Sequence, residues 1–177
     1  MFVILTFFFV HWYLSAFSQS FFLHRYMAHG MFKMSLFWER FFYLLTFVAQ
    51  GSSFLHPKSY AQLHLAHHMH SDTEEDPHSP LFFRDVFSMM WQTKIIYMEY
   101  QRGIRKAPDS FVANMPVWGF VDRLGNSILI RLLFVAAYTA VYVAFAPSAW
   151  FYLLLPIQIV IGPFHGAFIN WCGHKYG

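Results

Sequence analysis

The sequence predicts an all-α membrane protein built on a bundle of transmembrane helices. The first observation is compositional: 57% of the 177 residues are hydrophobic and 12% are charged, about half the ~25% charged fraction of soluble domains. The second is that several stretches reach the ~20 apolar residues needed to span a bilayer. A net charge of +3 gives no indication of nucleic-acid binding.

The first predicted span covers residues 2–23 and carries one polar face. Polar side chains recur there about every three or four residues, so they are expected to share one side of a helix; they are His11, Ser15, Ser18, Gln19 and Ser20. Polar groups within a membrane helix face other helices or a cavity rather than lipid. This face is therefore expected to point into the bundle.

Two further spans are predicted over residues 128–146 and 149–169. The link between them is so short that the two helices should form a tight hairpin. Pro156 and Pro163 lie within the last span, and an internal proline kinks a helix. The last span is therefore predicted to be bent.

A fourth apolar stretch, residues 36–55, is long enough to span but has polar ends. Glu39 and Arg40 lie in its first turn, and Gln50 begins a polar run near its end. Basic residues concentrate between positions 56 and 127, which the positive-inside rule assigns to the cytoplasm. Histidine motifs, described in the next paragraph, lie before and after this stretch in the sequence. They can face the same side of the membrane only if residues 36–55 do not cross the bilayer, so this stretch is predicted to be interfacial or re-entrant.

Three histidine motifs each follow a predicted apolar helix. They read HRYMAH from His24 to His29, HLAHH from His64 to His68, and NWCGH from Asn170 to His174. In the second motif His64, His67 and His68 have i, i+3, i+4 spacing, which places their rings on one helix face. Such spacing gives one metal two or three nitrogens, or divides them between two metals.

The first motif has a less regular spacing. His24 and His29 lie roughly 140° apart around a regular α-helix, so they converge only if the helix ends between them, unless they serve different metals. Gly30 is consistent with a helix stop at this point. The remaining histidines considered are predicted to be structural or solvated: His11, His56, His70 and His165.

The ligand types indicate the metal. Many imidazoles with few carboxylates and no ligating cysteine suit iron, zinc, copper or nickel. Six histidines exceed the three or four protein ligands of one zinc site, so two metals fit better. Asp72 and Asp76 follow the second motif, where carboxylates could accept the free ring N–H and fix the tautomer. A site next to membrane helices indicates a lipid-like substrate. For a saturated acyl chain the demanding reaction is breaking an unactivated C–H bond, and that reaction calls for iron and O₂.

Taken together, the three motifs resemble the histidine boxes of the membrane-bound fatty acid desaturases of the Δ9 type, which act on acyl-CoA or acyl-lipid substrates. The first box matches as His24-Arg25 with His29, and the second as the HLAHH run followed by an acid and Asp-Pro-His. An Asn four residues before a His follows the last transmembrane helix in the family, as Asn170 and His174 do here.

The resemblance implies a transmembrane bundle with a cytosolic cap and a di-iron site that activates O₂ to insert a cis double bond. The implied iron ligands are His24, His29, His64, His67, His68 and His174, with Asn170 contacting one iron through water. Asp72, Asp76 and His78 would support these ligands, and no catalytic residue beyond the ligands is implied. Electrons would come from cytochrome b5, ferredoxin or a similar donor. Ser15, Ser18 and Gln19 are candidates to line the acyl tunnel.

The sequence also departs from the family pattern. A further H-x2-H-H box is expected some tens of residues beyond His174, and another transmembrane helix is expected before the first box. Leu65 stands where the family commonly has Arg, at a position that is not a ligand. The chain is therefore expected to be one desaturase-like domain, residues 1–177, that is incomplete at both ends, inactive alone and unable to hold both irons.

Two other functions remain open from the sequence. A related membrane di-iron hydroxylase would use similar histidine boxes and the same oxidant. A metal-transporting membrane protein can also carry a histidine-rich loop, although ionisable residues would then be expected along a pathway through the membrane. In each case the chain is predicted to be an integral, multi-pass membrane protein with its histidine boxes on the cytoplasmic side.

Overall fold

The computed structural model describes residues 1–113 and 115–176, and this part of the chain contains helices and no β-strand. The predicted all-α class is confirmed. The chain divides into two compact units. The first unit comprises Met1–Phe22, Met34–Leu55 and Trp118–Phe164; the second comprises Leu23–Lys33, His56–Val117 and His165–Gly177. The expectation of one domain that is incomplete at both ends stays a prediction.

The α-helices in chain order are α1 Phe2–Ser18, α2 Leu36–Gln50, α3 Pro57–His70, α4 Val86–Gln101, α5 Asp109–Val112, α6 Gly119–Asn126, α7 Ile128–Phe145, α8 Leu154–Ile159 and α9 Ile161–Tyr176. Short 3₁₀ turns cover Gly51–Ser53, Pro80–Phe82 and Ala149–Leu153. A π-helical segment, Gln19–Ala28, continues α1 without a break.

Among the described residues, two helices are long and apolar enough to cross a membrane, Phe2–Ala28 and Ile128–Phe145. A third candidate arises if Ala149–Ile159 and Ile161–Tyr176, which meet at 78°, count as one span. The predicted bend is therefore present, and it has a local cause. Pro163 carries no amide hydrogen and its ring would clash with the carbonyl of Ile159, so α8 ends there.

The helix α2 is too short for the span that its apolar sequence suggests. Its 15 residues are about 22 Å long, whereas the hydrocarbon core is ~30 Å thick. The backbone then turns at Gly51, which has φ of +49° and lies so close to the Tyr138 hydroxyl that a Cβ would overlap it. The interfacial or re-entrant placement of residues 36–55 stays a prediction, and the early end of α2 favours it.

Buried polar contacts fix α2 and α7 within the first unit. Tyr43 in α2 donates a 2.7 Å hydrogen bond to Asp122 in α6. The guanidinium of Arg131 in α7 donates to the carbonyls of Gly125 and Phe54, each at 2.8 Å. The two Arg131 bonds satisfy backbone acceptors in the last turn of α6 and in the segment that follows α2, where helical partners are lacking.

Of the five polar residues predicted to share one face of the first span, four are buried, whereas Ser20 is exposed. Ser18 donates to the Leu14 carbonyl at 2.8 Å, the usual back-bond of a helical serine. His11 Nε2 lies 3.4 Å from the Tyr138 hydroxyl, which makes His11 a packing residue of the first unit. Ser15 and Gln19 are also buried. The proposed tunnel role of Ser15, Ser18 and Gln19 stays a prediction.

In the second unit, local capping explains where α3 and α4 begin. His56 precedes α3, and its Nδ1 accepts from the Ser59 amide at 3.2 Å. The structural role predicted for His56 is thus a helix cap. Asp85 and Ser88 form a reciprocal capping box at the start of α4. The backbone amide of His56 also donates to the Tyr97 hydroxyl at 2.6 Å, which ties α3 to α4.

Candidate metal centre

Four histidines from the first two motifs converge in the second unit. His24, His29, His64 and His68 each offer a ring nitrogen, and these four atoms lie within 4.8 Å of one another. His24 belongs to the π-helical segment, and His29 follows the end of that segment. His64 and His68 lie one turn apart on α3. We call this set the four-histidine group.

π-helical winding brings His24 and His29 together. The His29 amide donates to the His24 carbonyl at 3.1 Å, an i to i+5 hydrogen bond. Residues five apart share one side of a π-helix, and the two ring centroids are 4.6 Å apart. The helix ends at Ala28, between the two histidines, as convergence requires; the π winding itself was not predicted. Gly30, with φ of +57°, then turns the chain away.

His64 is the centre of the four-histidine group. Its Nε2 lies 3.0 Å from Nε2 of His29 and 3.0 Å from Nε2 of His68. A neutral imidazole has one N–H and one lone pair, so one nitrogen cannot hydrogen-bond well with both neighbours. Two nitrogens about 2.1 Å from one ion, bound at a right angle, are about 3 Å apart. The observed spacing therefore fits a shared metal ion.

The protonation states also suit a metal. Burial, followed by the neighbouring His24 and His68, lowers the pKa of His64 to about 2. Burial and the neighbouring His29 also lower the pKa of His68. Both rings are consequently neutral near pH 7, and a metal requires the neutral ring. Tyr60, one turn earlier on α3, stacks on His64 with ring centroids 5.9 Å apart; sequence reasoning missed this contact, although its i, i+4 spacing could have indicated it.

His67 has a different surrounding from the four-histidine group. Its Nδ1 lies 2.8 and 2.9 Å from the two carboxylate oxygens of Asp76. A carboxylate only accepts hydrogen bonds, so Nδ1 carries the proton and Nε2 keeps the free lone pair. This is the geometry of an oriented metal ligand, and it is the role that the sequence analysis assigned to Asp76.

Asp76 is itself held by the backbone around it. Its carboxylate accepts from the amides of Asp72 at 2.9 Å and His78 at 3.0 Å. Burial alone would raise the pKa of Asp76, but the hydrogen bonds from His67 and from these amides outweigh it, and the pKa is lowered. The SDTEEDPH stretch thus forms a loop that presents one ionised carboxylate to His67.

His174 is oriented in a similar way. Its Nδ1 lies 3.2 Å from Asp72 Oδ1, and its ring centroid is 4.9 Å from that of His67. Asp72 adopts a left-handed conformation with φ of 59°, and its Oδ1 also accepts from Ser79 at 3.0 Å. The contact with Ser79 was not expected from the sequence. His67 and His174 thus form a second pair of imidazoles, each with a carboxylate partner.

His78 is buried against this second pair. It is 5% exposed and stacks on His67 with centroids 4.3 Å apart. Burial, and then the neighbouring His67, lowers its pKa to about 3. Neither of its ring nitrogens has a hydrogen-bond partner among the described residues. The structure therefore places His78 beside the predicted ligands, which leaves its supporting role a prediction.

The other candidates lie outside both clusters. Asn170 is half-buried on α9, one turn before His174, and its contact with iron through water stays a prediction. His70 is half-buried and pairs with Glu75 at 3.0 Å, off the ligand face. His165 is half-buried on α9. The sequence favoured two metals for the six histidines; the structure groups four of them, and His67 and His174 lie outside that group.

A comparison with curated proteins finds similarity to a plant protein, the Delta-9 desaturase-like 5 protein of Arabidopsis thaliana. The two are 32% identical over 102 residues, which cover 57% of this chain and 33% of the relative. The matched region is therefore about a third of the length of that relative. No family model matches the chain, and no solved structure matches it.

Proposed function

We propose that the chain is part of a membrane-bound fatty acid desaturase of the Δ9 type. The observation that carries the proposal is the four-histidine group, in which ring nitrogens from two histidine motifs lie within 4.8 Å of one another. Similarity to a desaturase-like protein and the two or three candidate spans support the same function. A plain metal-binding loop would need neither the spans nor carboxylates that fix ring tautomers.

The residues present fit two iron ions to different extents. The four-histidine group would hold one iron. His67 and His174 would supply two nitrogens to a second iron, with Asn170 contacting it through water, so that position needs further ligands. Bound iron would supply the activation of O₂ needed to remove hydrogens from an unactivated acyl chain.

The chain's own residues have a positioning role in this proposal. Asp76 holds the proton on Nδ1 of His67 and keeps the ring from rotating, so its Nε2 is available. Asp72 does the same for His174. Both carboxylates lie on one loop, so the ring orientations of His67 and His174 depend on a single short segment.

The substrate and partners follow from the same proposal. The substrate is a saturated acyl chain carried by CoA or a glycerolipid, and O₂ is the co-substrate. Electrons come from cytochrome b5, ferredoxin or a similar donor. The protein is an integral, multi-pass protein of the lipid bilayer, and its histidine motifs lie on the cytoplasmic side.

The test is to express the natural gene that encodes this chain in a host and to analyse its fatty acids by mass spectrometry. New cis-monounsaturated acids are expected from the wild type and from His70→Ala, since His70 lies off the ligand face. None is expected from His64→Ala. Hydroxylated acids would instead identify the related hydroxylase, and vesicle zinc uptake without altered lipids would support the transporter.

A further inference from the structure

The helix α4 is apolar on two opposite sides. Met89 and Ile96 are buried in the second unit, at 1% and 9% exposure. Phe87, Trp91 and Ile95 follow one another at i, i+4, i+8, and they are 76%, 63% and 39% exposed. Successive members of this series turn by roughly 40°, so they form one continuous stripe. We call Phe87, Trp91, Ile95 and the adjacent Lys94 the outward face of α4.

The outward face combines aromatic side chains with a cation. Lys94 extends over Trp91, with its Nζ 4.9 Å from the ring centroid. The lysine lies on the same side of the helix as Phe87, roughly 20° away. An apolar stripe with tryptophan at its centre and a lysine that reaches past it is the chemistry of a helix lying at a membrane surface.

Positive charge surrounds this face. Residues 84–106 hold five basic and two acidic side chains. Both acids are engaged locally: Asp85 accepts the Ser88 amide at 2.8 Å, and Glu99 pairs with Arg105 at 2.9 Å. The exposed basic side chains along and beyond the helix are Arg84, Lys94, Arg102 and Lys106. Such a charge pattern complements anionic lipid headgroups.

We propose that the outward face of α4 rests on the surface of a bilayer that contains anionic lipid. Phe87, Trp91 and Ile95 enter the boundary between headgroups and acyl chains, and Lys94 reaches the headgroup phosphates. Candidate membrane spans elsewhere in the chain are consistent with a protein that associates with a bilayer. This contact does not depend on the reaction that the histidines support. A soluble acidic protein would match the charges, but it would not account for three large apolar side chains aligned along one stripe.

Site-directed spin labelling of the full chain in vesicles tests the proposal. Cys172 is replaced by serine, and a nitroxide is attached in Trp91→Cys, in Ile95→Cys and in the control Gln92→Cys. Gln92 is exposed on the same helix, about 100° from Trp91. Vesicles contain phosphatidylcholine with phosphatidylglycerol, and power saturation measures the access of oxygen, which partitions into lipid, and of a water-soluble nickel complex.

Labels at 91 and 95 are expected to respond more to oxygen than to nickel, and the label at 92 is expected to respond more to nickel. Nickel access at all three positions would place the face in water and overturn the proposal. Protection of 91 and 95 from both reagents would mean that protein covers the face, and would also overturn it. Ile95→Cys keeps Trp91, so the test stands even if Trp91→Cys does not fold.

The part played by anionic lipid has a separate control. In vesicles of phosphatidylcholine alone, and in the variant Lys94→Glu, the oxygen-to-nickel response at position 95 is expected to fall several-fold. An unchanged ratio in both would show that charge does not hold the face to the surface, and the anionic-lipid assignment would be wrong.

Discussion

His67 and Asp76 are joined by two close contacts, from Nδ1 to each carboxylate oxygen, at 2.8 and 2.9 Å. Both groups are almost fully buried. The pair fixes which nitrogen of His67 is free, and it does so with a residue nine positions later in the chain. The orientation of a predicted ligand therefore depends on a loop that contributes no predicted ligand of its own.

Replacing Asp76 by asparagine should weaken metal binding without removing a ligand. The amide has one oxygen in place of two and carries no charge, so it holds the His67 tautomer less firmly. Loss of such a partner typically lowers metal affinity about 10–100-fold. Iron content of the purified full-length protein, titrated with a chelator, measures this. Glu75→Gln is the matched control, since Glu75 is exposed and contacts His70; equal losses in both variants would contradict the role of Asp76.

The chain of 177 residues should hold at most one iron. The four-histidine group offers four nitrogens, whereas the second position has only His67 and His174 among the predicted histidine ligands. Elemental analysis of the purified chain should give about one iron per chain for the wild type and for His70→Ala, and none for His64→Ala. Two irons per chain, or turnover by the chain alone, would show that the second position is complete.

Acid should destabilise the metal-free chain in a way that depends partly on His64. The pKa of His64 is lowered from 6.5 to about 2 by burial and by His24. The folded state therefore binds fewer protons than the unfolded state, so this contribution to stability is full above pH 6.5 and is lost as the pH falls towards about 2. The midpoint of thermal unfolding in detergent should fall less steeply with pH in His64→Gln than in the wild type. His70→Gln should follow the wild type.

Removing the Tyr43 hydroxyl should destabilise the first unit. Burial, and then the hydrogen bond to Asp122, raises the pKa of Tyr43 above its usual value, so the phenol is neutral and donates at pH 7. Tyr43→Phe leaves the buried Asp122 carboxylate without this donor, at a cost of about 1–3 kcal/mol. Thermal unfolding in detergent checks the result, with Tyr13→Phe as control because Tyr13 is 74% exposed. Identical midpoints in the two variants would argue against an energetic role for the bond.

Gly51→Ala and Gly103→Ala should differ, although both glycines have positive φ, +49° and +70°. The left-handed α region costs a non-glycine residue roughly 1–2 kcal/mol, and Gly51, with ψ of −115°, lies outside that region. Gly103 has open space around its Cα, whereas a Cβ at Gly51 would overlap the Tyr138 hydroxyl. The larger fall in stability is expected at Gly51, and Tyr138→Phe should recover part of it. Equal losses of stability in the two variants would mean that backbone strain alone, and not the overlap with Tyr138, causes the loss.

The sequence predicted the fold class, two spans and the bend, because the length of an apolar stretch and the position of a proline determine the local structure of a helix. It also predicted that His64, His67 and His68 share a face, since i, i+3, i+4 spacing fixes this on any α-helix. It could not predict that His67 and His68 would differ in their partners, because the loop that carries Asp76 folds back by backbone hydrogen bonds. The double apolar character of α4 was also missed, since apolar residues on two opposite sides of a helix erase the periodic signal.

The winding of the segment Gln19–Ala28 has a consequence for how the two histidine motifs are spaced. On α3, His64 and His68 reach one another across four residues because the helix is α. In the first motif the same approach needs five, because the hydrogen bonds close one residue later. The interval of four residues on α3 and of five in the first motif thus reflects the difference between α-helical and π-helical winding. If one residue were deleted from the first motif, the two histidines would be four apart, and they would converge only if this segment were an α-helix.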